Sequence, residues 1–340
     1  MSGSSGRIIL VTGAAGFIGA AVSQALLARG DAVIGIDNLN DYYDVALKQA
    51  RLARLTPNRA FDFHQIDISD RDRMLKLATD FPGITGIVHL AAQAGVRYSL
   101  VNPYAYVTSN VMGQVVILEM ARALQSSGGA ALKHLVYASS SSVYGANQKT
   151  PFAVGDPVEH PNSLYAATKR ADELFGHAYA HLYGLASTGL RFFTVYGPWG
   201  RPDMAPILFA KAISAGEPIK VFNGGELWRD FTYIDDIVDG VVRALDHPPS
   251  SDSKNGGTPP HAIYNLGNHR AEKLTDFIAE IEKALGKKAQ MTMEPMQPGD
   301  VPITYADITA SQKALGFEPS TPISVGIPKF VDWFKSYYRA

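Results

Sequence analysis

The 340-residue chain contains no cysteine. That excludes disulfides, thiol nucleophiles and cysteine-built zinc sites, and it fits a reducing cytoplasm. An excess of one charge is also lacking. Thirty-one Lys and Arg against 32 Asp and Glu leave a net charge of −1, so neither a nucleic acid nor a membrane surface is an expected partner. No long hydrophobic run is present; the longest apolar stretch is a glycine-punctuated helix near the start, too broken to span a bilayer. The opening M-S-G-S-S-G has neither the charged nor the apolar region of a signal peptide. No internal repeat stands out. A metal site is not expected: His177 and His181 share a helix face at i, i+4, but Ala178 stands where a zinc helix carries its acid, and no third ligand is evident. What remains is the composition of a soluble globular protein, 46% hydrophobic and 19% charged, long enough for one large or two moderate domains.

The first organised feature is R-I-I-L-V-T-G-A-A-G-F-I-G. An apolar run at residues 7–12 reads as a strand buried on both faces. Gly13, Gly16 and Gly19 follow, then a helical pattern that stops at Gly30, then a strand at 32–37 closed by Asp37. This is a βαβ unit with an acidic end. Gly13 permits the tight turn, Gly16 lets backbone approach a pyrophosphate, and Gly19 lets the helix pack close to the strand. Phe17, Ile18 and Gly19 then open a helix whose free N–H groups face the phosphates. Asp37 accepts hydrogen bonds from the adenosine ribose and repels a 2′-phosphate, and Asn38 beside it offers no cation. The expected cofactor is NAD rather than NADP.

Further strands are expected at 61–66, 86–91, 134–139 and 188–193, with segments between them long enough for crossover helices. That pattern predicts an α/β fold with a doubly wound parallel sheet. After Tyr196 the prolines crowd, and a helix, a short strand V-F-N, a helix over about 235–245, a low-complexity loop at 248–260 and a final amphipathic helix follow. The expected division is a cofactor domain over 1–195 and a smaller C-terminal α/β substrate-binding domain over 196–340. Elements between about 230 and 270 are free to return to the first domain.

The stretch S-L-Y-A-A-T-K places Tyr165 and Lys169 one helical turn apart. A phenol beside an ammonium is a base and the charge that activates it. The serine run of H-L-V-Y-A-S-S-S-S-V-Y-G lies at the carboxyl end of an expected strand, where doubly wound sheets bind ligands.

Together the G-x-x-G-x-x-G spacing and Tyr-x-x-x-Lys resemble the short-chain dehydrogenase/reductase superfamily, in its extended epimerase/dehydratase branch of nucleotide-sugar enzymes with a Rossmann-type domain. The resemblance implies Ser140, five residues before Gly145, and Tyr165, twenty-five residues later, as the catalytic pair. It gives Lys169 the nicotinamide ribose and places Asn110 as a brace on the cofactor side. Asp67 and Ile68 match an adenine-contacting pair, and Leu90, Ala91 and Ala92 match small residues that let the dinucleotide approach. Three segments, at 37–48, 89–99 and 191–204, resemble UDP-glucuronate 4-epimerases in particular. The implied reaction interconverts UDP-glucuronate and UDP-galacturonate through a 4-keto sugar. The implied substrate residues are Gln93, Ser140, Ser141, Ser142, Tyr165, Thr194 and Arg201, with Phe222, Arg229 and Asp300 at the UDP end. Gln297 departs from an Arg usual in that stretch. The resemblance further implies a homodimer joined by helices of the cofactor domain. The alternatives are a UDP-glucose or UDP-N-acetyl-hexosamine 4-epimerase and a non-catalytic NAD-binding scaffold.

Overall fold

The computed structural model describes residues 6–126, 132–251, 257–296 and 301–339. The first five residues, the middle of the 248–260 loop and the Q-P-G-D stretch with Gln297 and Asp300 lie outside the described residues.

Seven strands form one parallel sheet in the order β3-β2-β1-β4-β5-β6-β11. They are β1 (Ile8–Thr12), β2 (Ala32–Asp37), β3 (Phe61–Gln65), β4 (Ile84–His89), β5 (His134–Ser140), β6 (Ser187–Phe192) and β11 (His261–Leu266). The order reverses at β1/β4, and the carboxyl ends on either side of such a point frame a ligand crevice. The strands alternate their apolar side chains between two cores. Leu10, Ile34, Ile87 and Leu135 point to one side, against α3 (Arg71–Asp80), α6 (Gly113–Ser126) and α7 (Leu164–Tyr183). Ile9, Val11, Val88 and Val136 point to the other, against α1 (Phe17–Ala28) and α9 (Ile234–Asp246). Continuous apolar strands of this kind need helices on both faces, as the sequence pattern requires.

Two short helical turns, α4 (Tyr98–Val101) and α5 (Pro103–Tyr106), and a π-helical turn at Val107–Met112 lead into α6. α2 (Val45–Leu52) follows β2. Beyond β6 the chain builds small sheets beside the main one. β7 (Thr194–Tyr196) pairs with β10 (Phe231–Tyr233), β8 (Pro218–Phe222) with β13 (Gln290–Glu294), and β9 (Trp228–Arg229) with β12 (Glu272–Lys273) and β14 (Ile303–Thr304). Helices α8 (Ala205–Ala215), α10 (Leu274–Leu285), α11 (Thr309–Leu315) and α12 (Ile323–Tyr338) complete it. The Phe231 and Phe277 rings stack at 3.9 Å in its core. β11 then adds to the edge of the main sheet beside β6, after α9 has packed on α1.

The expected strand V-F-N ends one residue early. Asn223 has φ +53 and belongs to the following turn, a left-handed conformation that Asn tolerates and a strand does not accept.

Candidate active site

The carboxyl ends of β1, β4 and β5 open onto a cavity of about 1100 Å³ that continues between the main sheet and the smaller sheets. Of the residues singled out from sequence, Gly13, Gly16, Phe17, Ile18, Gly19, Asp37, Asn38, Ile68, Leu90, Ala91, Ala92, Gln93, Ser140, Ser141, Ser142, Tyr165, Lys169, Thr194, Arg201, Phe222 and Arg229 all line it. Asp67 and Asn110 do not, and Asp300 lies outside the described residues.

The glycine turn is shaped by its own backbone. Gly13 has φ +71, and a Cβ there would stand 2.8 Å from the Ala91 nitrogen, so the turn and the end of β4 touch. A Cβ on Gly16 would stand 2.9 Å from the Gly13 carbonyl oxygen, and one on Gly19 would overlap that same oxygen. Gly19 therefore serves contact between the helix and the turn rather than with the strand. The result is a cradle open at the first turn of α1, whose N–H groups have no partner within the helix. It fits a dinucleotide phosphate.

Asp37 closes the cradle. Its carboxylate accepts from the Ala15 and Leu39 backbone nitrogens at 3.2 and 2.9 Å. Burial pushes its pKa up, opposed by these bonds and by Lys48. Lys48 is a cation near Asp37 that the sequence reading did not consider. It lines the same wall, although its Nζ is committed to the Asn40 carbonyl and Oδ1 at 2.7 and 2.8 Å. Asp67 accepts from Asn38 Nδ2 at 2.7 Å, which ties it to a residue that lines the cavity.

The catalytic candidates come from two elements. The side chain of Ser163 accepts from Ala166 N at 3.1 Å and caps α7. This places Tyr165 in the first turn and Lys169 one turn on. β5 ends at Ser140, whose Oγ caps the following 3₁₀ turn by accepting from Ser142 N at 3.2 Å. Gly145 closes that turn at φ +58, where an L side chain would also strike the His160 carbonyl. Asn110 joins the two halves from behind. It accepts from Gln93 N at 2.8 Å and donates to Gln93 O and Thr168 Oγ1, both at 3.0 Å, while Thr168 donates to the Tyr165 carbonyl at 2.8 Å. It lies in a π turn, a distortion frequent at functional sites.

Lys169 Nζ donates to the Ala138 carbonyl at 3.0 Å and pairs with Asp172 at 3.1 Å. An ammonium has three donors, so one is left for a ligand. Burial, aided by Lys169, pushes the His89 pKa down to about 3; His89 stays neutral, hydrogen-bonded to Thr12 at 2.7 Å. Burial likewise raises Asp172 to about 6, Lys169 opposing. Glu173 on the next position accepts from Ser139 at 2.7 Å and from Arg191 at 2.7 and 2.9 Å, binding α7 to the end of β5.

The Arg201 guanidinium bonds the Asp203 carboxylate, and Phe222 packs half-buried beneath the Arg97 guanidinium at 5.6 Å. Arg229 Nη1 donates to the Trp228 and Pro302 carbonyls at 2.9 and 3.2 Å. Sequence reasoning missed Tyr42, Lys48, Arg97, Asp172 and Asp203. Asp172 had a local signal in its i, i+3 spacing from Lys169, and Asp203 in its place two residues after Arg201. His177 stands edge-on to His261, ring centres 5.6 Å apart; among the described residues no group of three or more His, Asp or Glu is placed to hold a metal. No described helix is long and apolar enough to cross a membrane.

Residues 9–267 match the family model of the NAD dependent epimerase/dehydratase family. The chain is 47% identical over 341 residues to UDP-glucuronate 4-epimerase 2 of Arabidopsis thaliana, covering 98% of this chain and 77% of that protein. Its fold matches a UDP-glucuronic acid 4-epimerase from Bacillus cereus, solved with UDP-glucuronic acid and NAD, at a TM-score of 0.85 and 35% identity over 98% of this chain and 100% of the other. A UDP-glucose 4-epimerase from Thermotoga maritima, solved with UDP-glucose, matches at 0.84 and 28% identity, covering 98% and 100%, so overall shape does not distinguish the sugars. Family model, relatives and site geometry agree, and the chain belongs to the NAD-dependent epimerase/dehydratase family.

Proposed function

We propose that the protein is a UDP-glucuronate 4-epimerase that keeps NAD bound. The observation that carries the reading is the meeting of two sets in one cavity: Ser140, Tyr165 and Lys169 together with Thr194 and Arg201. NAD is supported by the glycine cradle and by Asp37 at its end; when bound, its nicotinamide would take the hydride from C4 and give it back.

The chain's own residues handle protons and position. Tyr165 removes the proton of the C4 hydroxyl and later returns one. Ser140 hydrogen-bonds that oxygen while it carries charge. Lys169 holds the ribose side with its remaining N–H. Arg229 and Phe222 anchor the UDP, so that the sugar turns over while the nucleotide stays, and Asp300 is proposed for the uridine ribose. Ser141, Ser142, Thr194 and Arg201 hold the C6 carboxylate. Control there matters because a 4-ketone is β to it, and a β-keto acid loses CO₂ once its C–C bond aligns with the ketone. Charge-assisted bonds of about 1.5–3 kcal/mol each can prevent that rotation.

We also propose a division near residue 195 into cofactor and substrate parts, a cytoplasmic site of action supported by the absence of cysteine, and a homodimer. The pairing is supported by bare apolar side chains on α4, α5 and α7. The deciding experiment is incubation of the purified protein with UDP-glucuronate and identification of the product by NMR. UDP-galacturonate is expected; turnover of UDP-glucose alone would favour the neutral-sugar alternative.

A further inference from the structure

Arg201 is held before any substrate arrives. Its Nε donates to Asp203 Oδ1 at 3.1 Å and its Nη2 to Asp203 Oδ2 at 2.6 Å, a two-point grip on one edge of the guanidinium. Nη2 also donates to the Ala94 carbonyl at 3.3 Å. Tyr42, 161 residues away in sequence, donates its hydroxyl to Asp203 Oδ2 at 3.1 Å. Tyr42, Arg201 and Asp203 all line the cavity. The Tyr42 ring packs on Tyr98 at 4.7 Å. Tyr106, whose hydroxyl donates to Gly95 beside Ala94, stands edge-on to Tyr165 at 6.0 Å.

A lone arginine would bind a sugar carboxylate more tightly than one already paired with an aspartate, because two carboxylates on one guanidinium repel. The pairing therefore weakens acid binding. What it supplies is direction: a guanidinium is planar, and fixing its Nε/Nη2 edge fixes the plane of the remaining donors. For a β-keto acid the direction of the carboxylate decides the outcome.

We propose that Asp203, tethered by Tyr42, is a positioning residue that fixes the plane of Arg201 and thereby suppresses decarboxylation at the cost of affinity for the acid sugar. The inference rests on the epimerase reading. In the side reaction the C5–C6 bond breaks, its electron pair passes to the C4 ketone as an enolate, CO₂ leaves, and C5 is protonated. The hydride removed from C4 stays with the cofactor.

The test compares the parent protein, Asp203→Asn and Tyr42→Phe. Epimer and CO₂ formed from UDP-glucuronate labelled at C6 are measured, together with calorimetric affinities for UDP-glucuronate and UDP-glucose. Asp203→Asn should raise CO₂ per epimer about tenfold or more, the size of one lost charge-assisted hydrogen bond, with affinity for the acid unchanged or tighter and that for UDP-glucose unchanged. Tyr42→Phe should raise the ratio less; it carries the test if the Asn variant fails to fold. A product ratio at the parent level, or loss of acid affinity, overturns the proposal. Absence of both epimer and CO₂ with the parent protein overturns the epimerase reading, and this inference with it.

Discussion

On the proposed reading, the chemistry turns on Tyr165. Replacing it by Phe removes the ionisable oxygen and leaves the ring against Tyr106. Turnover of UDP-glucuronate should fall by about 10²–10⁴ while the protein still purifies with NAD; parent-level turnover in a folded variant would remove Tyr165 from the role. Asp172 gives a second prediction. Its pKa is raised to about 6 by burial against Lys169's opposing charge, above the ordinary value of about 4. The proton is thus bound more tightly in the folded chain. This contribution to stability is full below pH about 4 and is lost as pH rises through about 6. Asp172→Asn removes that titration. The melting temperature of the variant minus that of the parent should climb between pH 4 and 6 and level off above, superimposed on a constant loss from the bond to Lys169. A difference flat across that range would show that the carboxyl titrates elsewhere.

At the scale of elements, much of the site was legible because its signals are local. The glycine turn, the serine run and Tyr165–Lys169 each lie within a few residues of the strand or cap that positions them, and the expected strand boundaries fall within about two residues of those observed. The V-F-N strand failed for a local reason, the left-handed Asn223. What was not legible is what tertiary approach creates. Nothing near Tyr42 announces Asp203, and nothing near Arg51 announces its partners. Arg51, on α2 and fully buried, donates to Ala15 in the glycine turn at 3.1 Å, to the Tyr43 hydroxyl at 2.7 Å, to the Trp199 carbonyl at 3.0 and 2.7 Å and to Gly200 at 3.0 Å. It clips the cofactor turn to the segment that leads into Arg201, and it holds Trp199 at an unfavourable φ of +66. Arg51→Met keeps most of the volume but strands these buried carbonyls, at about 1–3 kcal/mol for each one left unpaired. A fall of several degrees in melting temperature, with weakened retention of NAD, is expected; a variant as stable as the parent would show that the clip is dispensable.

For the whole molecule, the least settled surface lies on the helices that carry the site. Leu100 and Val101 are each 77% exposed and Tyr104 81%. Leu100 on α4, Tyr104 on α5 and Val107, Met112 and Leu174 on the π turn and α7 are all exposed, on elements that pack against one another. A monomer gains nothing from leaving such side chains in water; a pairing that covers them would reach the roughly 1,200–2,000 Å² of a stable interface only by using α6 and α7 as well. Two-fold pairing would set α6 and α7 of one copy on those of the other as four helices. Val101 also lines the cavity, so the same segment faces both the substrate and the expected partner. Placing charge at Tyr104 and Leu174 together, as Tyr104→Glu and Leu174→Glu, should convert a dimer to a monomer in sedimentation velocity. It should also raise KM for UDP-glucuronate and lower kcat, since α4 and α7, which carries Tyr165 and Lys169, both lose their backing. A parent protein that sediments as a monomer at micromolar concentration would refute the pairing outright. A variant that stays dimeric would move the interface to another face.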